Sequence, residues 1–273
     1  MTSRKKFKKK VHDYWDNESC GTFVSKSKKF SKKYFDEIEK YRYRVEPEIF
    51  SFAQFTRHRG EKMLEVGVGA GTDFLQWVRA GAEAHGIDLT KEGVEHVKKR
   101  LEIYGLKAKE FKVADCEHIP YEDDTFDLVY SWGVIHHTAD TQKALEEIVR
   151  VTRPGGVGKI MIYNRYSLVT FFLWVQKALL KGKPWKSLKW CLCHHMESEG
   201  TKAFTKREVK KMLKHLPVKD VKIKTKLTYY DHLGHANIHK WFQTIARGIA
   251  VICGGDRVGW FLTIYFEKDS KKS

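Results

Sequence analysis

Two rhythms of apolar and polar positions alternate along this chain. Short apolar runs of strand length lie at 62–66, 84–88, 108–113, 126–131 and 157–163. Between them, at 72–80, 90–104 and 140–152, apolar residues recur every three or four positions, the spacing of a helix with one buried face. Strands alternating with helices predict parallel pairing and right-handed crossovers. Later, Val218, Val221 and Ile223 alternate with lysines in 218–227, which suits an exposed edge-type strand. The run 259–266 reads as a buried strand.

Ahead of this core, Tyr34, Phe35, Ile38 and Tyr41, then Val45, Ile49, Phe50, Phe52 and Phe55, keep a helical rhythm. Pro47 divides the segment into two helices, because proline biases the preceding Glu46 away from helical geometry. Two insertions interrupt the later pattern. The first, about 166–217, contains 168–175, apolar on every side, which predicts a helix that is fully buried, lies on lipid or faces a partner. The second, about 229–258, carries Ile238, Trp241, Phe242, Ile245, Ile249 and Ile252 on one stripe. Such a stripe belongs first to a core; its other uses are a lid over an apolar ligand or a dimer interface.

Charge sharpens the division into parts. The 273 residues carry a net charge of +17, yet residues 61–165 hold 14 Lys+Arg against 18 Asp+Glu, so the flanks carry the whole excess. A basic surface around a mildly acidic core favours an anionic partner: nucleic acid, an acidic membrane surface or an anionic substrate. The competing reading is a solubilising lysine surface. Residues 1–10, with six basic side chains, read as a flexible basic arm, and 11–60 as an N-terminal helical cap. Five cysteines without framework spacing predict free thiols and a reducing compartment. With no apolar leader and no run of about 20 apolar residues, the expected location is the cytoplasm, with a membrane periphery as the variant.

The stretch with the most specific chemistry is Met-Leu-Glu-Val-Gly-Val-Gly-Ala-Gly-Thr at 63–72. It reads as strand, glycine turn and helix start, where free N–H groups can donate to a polar or anionic ligand group. Alone, Gly67, Gly69 and Gly71 are weak evidence, since a plain glycine turn looks the same. The series that follows adds weight: Asp88 ending a strand, Asp115 after the next, Ser131-Trp132-Gly133 ending a fourth and Pro154-Gly155-Gly156 before a fifth. A carboxylate at Asp88 can accept both hydroxyls of a ribose. A nicotinamide dinucleotide fits less well, because its loop is Gly-x-Gly-x-x-Gly. Glu65, an acid inside a buried strand, is costly unless paired.

As a set, residues 61–164 resemble the class I S-adenosylmethionine (SAM)-dependent methyltransferases, and within them the ubiquinone/menaquinone, or type 11, branch. The resemblance implies an α/β, Rossmann-like, seven-stranded and mostly parallel sheet of order 3-2-1-4-5-7-6, with the methyltransferase domain running over 61–273. It also implies the cofactor SAM, with the glycine loop under its amino acid and ribose. Glu65 then lies near the ligand ammonium, Asp88 at the ribose, Asp115 at the adenine amine and the Cys116 N–H at a ring nitrogen. Ser131 and Trp132 pass near the sulfonium, and the N-terminal helices cover the cleft.

Candidate acid–base groups are His136 and His137, in the position after the fourth strand, and His195, in the first insertion beside Glu197. Packing is the competing role for the His-His pair. Cys191-Leu192-Cys193-His194-His195 lacks standard zinc spacing, so no metal is expected. Tyr163, Asn164 and Tyr166 sit where an acceptor would be met. The expected reaction is in-line methyl transfer to a small-molecule or lipid-like acceptor. The alternative is a nucleic-acid methyltransferase using the basic flanks. Against it, 131–134 lacks the Asn/Asp-Pro-Pro-aromatic motif often carried by enzymes that methylate base amino groups.

Overall fold

The computed structural model describes residues 3–232 and 254–270, together with positions 244, 248 and 252. The stripe predicted for the second insertion, Ile252 excepted, lies outside the described residues.

Seven strands form one sheet in the order β3-β2-β1-β4-β5-β7-β6. They are β1 (Lys62–Val66), β2 (Glu83–Asp88), β3 (Glu110–Val113), β4 (Phe126–Trp132), β5 (Thr152–Tyr163), β6 (Val218–Lys226) and β7 (Phe261–Lys268). The first five pair in parallel, while β7 runs antiparallel to both β5 and β6. β5 starts five residues before the apolar run, because Thr152 already pairs with Phe126 ahead of a register shift.

Period-two alternation assigns each strand residue to a face. Met63, Leu128, Tyr130, Met161 and Tyr163 join one apolar cluster. Leu64, Val66, Val129, Ile160 and Ile162 join the other. The helices include α1 (Ser3–Asn17), α2 (Lys32–Val45), α3 (Glu48–Ala53), α4 (Thr72–Ala80), α5 (Lys91–Tyr104), α6 (Thr141–Val151), α7 (Leu168–Lys177), α8 (Leu188–His195) and α9 (Lys206–Leu213). α3, α4, α5, α7 and α8 feed the first cluster; α6 and α9 feed the second. Phe74 and Trp77 of α4 are fully buried, each worth about 1.5–3 kcal/mol or more of burial. A Phe74→Ala change in this packing removes about 3–5 kcal/mol.

Side-chain caps fix where the helices begin. Ser31, Thr90, Asp140, Ser167 and Ser187 each accept from a backbone N–H three residues on. Thr205 and Glu208 close a reciprocal capping box.

The chain start departs from expectation: α1 runs from Ser3, through the segment read as a flexible arm. Its first turn holds no acid, so local preference does not favour it there. Tertiary contacts hold it instead. Arg4 pairs with Glu117 at 2.6 Å and Lys10 with Glu199 at 2.8 Å, while Lys8 bridges Asp115 and Glu117. The other N-terminal reading holds in its geometry, with α2 and α3 on either side of Pro47.

Candidate functional site

A cavity of about 620 Å³ opens where the carboxyl ends of β1, β2 and β4 meet the N-terminal helices. Glu65, Gly67, Gly69, Asp88, Asp115, Cys116, Trp132 and His137 all line it. Sequence reasoning had spread these residues over 73 positions; the parallel sheet gathers them at one edge.

The glycine loop owes its composition to the protein more than to a ligand. A Cβ on Gly67 would lie 2.3 Å from the Val134 side chain, and one on Gly71 would press on Val97 and Arg100 at 3.1–3.6 Å. At Gly69 a Cβ would meet nothing within 4 Å, so among the three it is Gly69 whose bare Cα leaves open space. Gly71 does not line the cavity among the described residues; it is the left-handed cap of α4. Ser131 is likewise fully buried within β4.

Asp88 braces the loop. One carboxylate oxygen accepts from the Gly69 N–H at 2.9 Å, the other from the Thr90 N–H and hydroxyl at 2.9 and 2.8 Å. Its seat exists because position 93 is glycine: a Cβ there would stand 2.7 Å from the Asp88 carboxyl carbon. A carboxylate has about four lone-pair sites, so three bonds leave capacity for a ligand hydroxyl.

Asp115 accepts from the Glu117 N–H at 2.9 Å and is paired with Lys8. Glu117, fully buried, also takes Arg4 and Lys8, each at 2.6 Å, and the Asp140 N–H at 2.9 Å. Burial works against its charge, but these bonds prevail and hold its carboxyl below the usual range. Burial pushes the Cys116 thiol up, so its thiolate is disfavoured and the backbone is the part of Cys116 suited to ligand contact.

Deeper in, one cation serves three buried carboxylates. Arg42 lies 3.1 Å from Asp73 and 3.3 Å from Glu46. Asp73 also receives the hydroxyls of Tyr43 and Tyr130, both at 3.1 Å, and Glu46 receives the Trp132 indole N–H at 2.7 Å. Glu65 is 3% exposed, and its Oε2 has no hydrogen-bond partner. Burial first, then the Asp73 charge, lifts its pKa well above the ordinary carboxylate value, against the pull of Arg42. A buried carboxyl group with an unpartnered oxygen on a cavity wall is a receptor for a cationic group.

The far wall is aromatic. Tyr163 stacks on Trp260 with ring centroids 4.0 Å apart, and Trp15 of α1 meets His137 edge-on at 5.3 Å. His137 presents Nδ1 to the hydroxyls of Ser198 at 2.9 Å and Thr201 at 3.1 Å, and its Nε2 lies 3.3 Å from Glu197. Glu197 in turn accepts from the Tyr163 hydroxyl at 3.0 and 3.1 Å.

The three candidate histidines therefore separate. His137 is on the cavity wall. His136 is fully buried behind it against Tyr163, where burial first and then His137 and Lys202 hold its pKa well below the usual histidine value. His195 is on the exposed side of α8 and does not line the cavity among the described residues. Periodicity is the reason: a 3-10 turn over Ile135–His137 sends adjacent rings to different surroundings, and position 195 falls on the outer face of its helix. His136, His137 and Glu197 bring ligand-type atoms within 4.8 Å of one another, the one such grouping among the described residues. The Cys191–His195 stretch forms no grouping of this kind there.

Sequence reasoning assigned no site role to Lys8, read as part of a flexible arm, to Trp15 of the helical cap, or to Asp73, buried beside the loop. It also missed the Arg42–Glu46 pair, which was visible as an i,i+4 spacing on α2.

Residues 64–159 match the protein family described as a methyltransferase domain. The chain is similar to a methyltransferase named GfsG from Streptomyces halstedii, 34% identical over 100 residues, covering 36% of each chain. It is also similar to the phthiotriol/phenolphthiotriol dimycocerosates methyltransferase of Mycobacterium tuberculosis, 36% identical over 99 residues, again covering 36% of each. The match thus spans little more than a third of these curated relatives. Among solved structures, the geranyl diphosphate C-methyltransferase of Streptomyces coelicolor shares the fold, with a TM-score of 0.61, 14% identity, and 96% of this chain and 97% of that one covered.

Proposed function

We propose that this chain, whose residues 64–159 match a methyltransferase domain, is a class I enzyme that moves a methyl group from SAM to a small-molecule or lipid-like acceptor. The observation that carries the reading is the two-ended cavity, carboxylates at the sheet edge and aromatic rings opposite.

The residues present fit the cofactor. Glu65 offers an unpartnered buried carboxylate oxygen to a cationic amino group, and Asp88 keeps one lone-pair site free for a ribose hydroxyl. Asp115 and the Cys116 N–H supply an acceptor and a donor for adenine. When bound, SAM supplies an activated methyl on a cationic sulfur. The chain supplies alignment and exclusion of water, the larger part of catalysis for a displacement of this kind. Trp132, Tyr163 and Trp260 form a dry wall for an apolar acceptor. An acceptor that sheds a proton passes it to the His137–Glu197 pair; one with a free lone pair needs alignment alone.

The acceptors named for the relatives include phthiotriol/phenolphthiotriol dimycocerosates and geranyl diphosphate, which supports a small-molecule or lipid-like class. Of the N-terminal basic residues, Arg4, Lys8 and Lys10 are engaged by carboxylates of the same chain. That weakens the case for a nucleic-acid acceptor held by this segment.

Calorimetric titration of SAM into wild type and Asp88→Ala tests the reading. Loss of a charged contact of about 2–3 kcal/mol lowers affinity by well over tenfold. Wild type that fails to bind SAM would refute the proposal, as would equal affinity in the variant.

A further inference from the structure

We propose that the tip of the α7–α8 hairpin, residues 177–189, docks on an anionic lipid bilayer. It combines exposed large apolar side chains with a cluster of lysines. Leu180 and Trp185 are 74% and 73% exposed, Leu179 is 44% exposed, and Phe171 on the adjoining helix is 54% exposed. Around them stand Lys177, Lys181, Lys183, Lys186 and Lys189, and no Asp or Glu occurs anywhere from 166 to 196. Lys177, Lys181 and Lys183 make no ion pair among the described residues. Large apolar side chains held out in water beside unpaired lysines suit the boundary between lipid headgroups and acyl chains. The apolar groups enter the boundary, and the long lysine stems let their ammonium groups stay at the anionic headgroups.

Packing and one hydrogen bond tie this tip together. Ala178, between the exposed residues, is fully buried, and the Trp174 indole N–H donates to the Lys186 carbonyl at 2.7 Å, tying the two limbs together. Gly182, with φ +67°, turns the chain at the apex. Other occupants fit less well. A second copy would bring five lysines against five lysines. Nucleic acid would satisfy the lysines, yet leave Leu179 and Leu180 in water.

The opposite end of the same hairpin reaches the cavity, since Val169 of α7 and Met196, just after α8, line it. The surface therefore deepens the lipid-like acceptor reading by saying where the acceptor is met. Vesicle binding is measured without cofactor or turnover, so its failure is distinct from failure of that reading.

The full chain is sedimented with vesicles of phosphatidylcholine alone and with vesicles containing phosphatidylglycerol. Wild type is expected to bind the second and not the first. Leu180→Asp combined with Trp185→Asp is expected to lower that binding at least tenfold, as is Lys181→Glu combined with Lys183→Glu. None of these residues lines the cavity, so SAM binding and the melting temperature report that the fold is intact. Three results would overturn the proposal: no binding to either vesicle, binding unchanged in the leucine–tryptophan variant, or a wild-type dimer that this variant splits while vesicles stay unbound.

Discussion

Gly93→Ala sets two structural effects against each other. Position 93 is in the first turn of α5, with its N–H donating to the Thr90 hydroxyl. Helix propensity alone makes alanine better than glycine by about 0.8–1 kcal/mol. Sterics oppose this. The new Cβ would stand 2.7 Å from the Asp88 carboxyl carbon and 3.0 Å from both its oxygens. Those oxygens hold three bonds, from the Gly69 N–H and from the Thr90 N–H and hydroxyl. Hydrogen bonds to a charged group are worth about 1.5–3 kcal/mol each, so displacing the carboxylate from even one outweighs the helix gain. We expect a slightly less stable protein that still folds. Its SAM affinity should fall by about 2–3 kcal/mol, which is roughly 30- to 140-fold. Calorimetry measures the affinity and circular dichroism the melting temperature. A variant that melts higher than wild type and binds SAM equally well would show that Asp88 does not need this seat, and the account of the ribose end would fall.

Other consequences can be measured separately. Lys8→Met strips one cation from the buried Glu117 carboxylate; a loss of about 1.5–3 kcal/mol should speed amide exchange over residues 3–17 by tenfold or more, and unchanged protection would mean α1 is held otherwise. Burial opposes the Glu147 charge, but Arg150, Lys143 and the Ile119 N–H prevail and set its pKa at about 2. Because the folded value is depressed, this stabilisation, about 3 kcal/mol, is complete above pH ~4.5 and drains away as pH falls towards 2. Urea unfolding should therefore show wild type ahead of Glu147→Gln at neutral pH and the gap closing in acid; a gap constant with pH would contradict the assignment. Burial first, then the Asp73 charge, raises the Glu65 pKa in the free protein. A cationic ligand favours the carboxylate, so SAM binding should release up to one proton, read as a binding enthalpy that changes with the ionisation enthalpy of the buffer; identical enthalpies in two such buffers would remove Glu65 from the site.

Legibility in the sequence followed how local each cause was. β1 and α4 were read to the residue because the glycine loop between them punctuates the chain on both sides. Strand order followed from the resemblance, since nothing local to 261–268 says that β7 enters between β5 and β6. The glycine loop was found for a reason that only partly holds. The resemblance lays the whole glycine loop under a ligand, whereas Gly67 and Gly71 make room for Val134, Val97 and Arg100. Such contacts come from segments 26 to 67 residues away and leave no local mark. The same holds for α1: six basic residues in ten predict an arm when the acids that receive them, Asp115, Glu117 and Glu199, are more than a hundred positions distant.

That last contact joins the two halves of the site. Lys8 sits on the carboxylate that the resemblance gives to the adenine amine, so helix docking and cofactor binding meet at Asp115. Were Asp115 the sole anchor, an arriving ligand would have to expel α1. Glu117 changes the outcome. It is fully buried, takes both Lys8 and Arg4 at 2.6 Å, and stays below the usual carboxylate pKa. Lys8 can therefore yield Asp115 to a ligand and keep its charge paired two residues along. Phe7, Val11 and Trp15 stay on the cavity wall as it does so. The basic start of the chain thus lies along the cavity with three of its cations on carboxylates of the same chain.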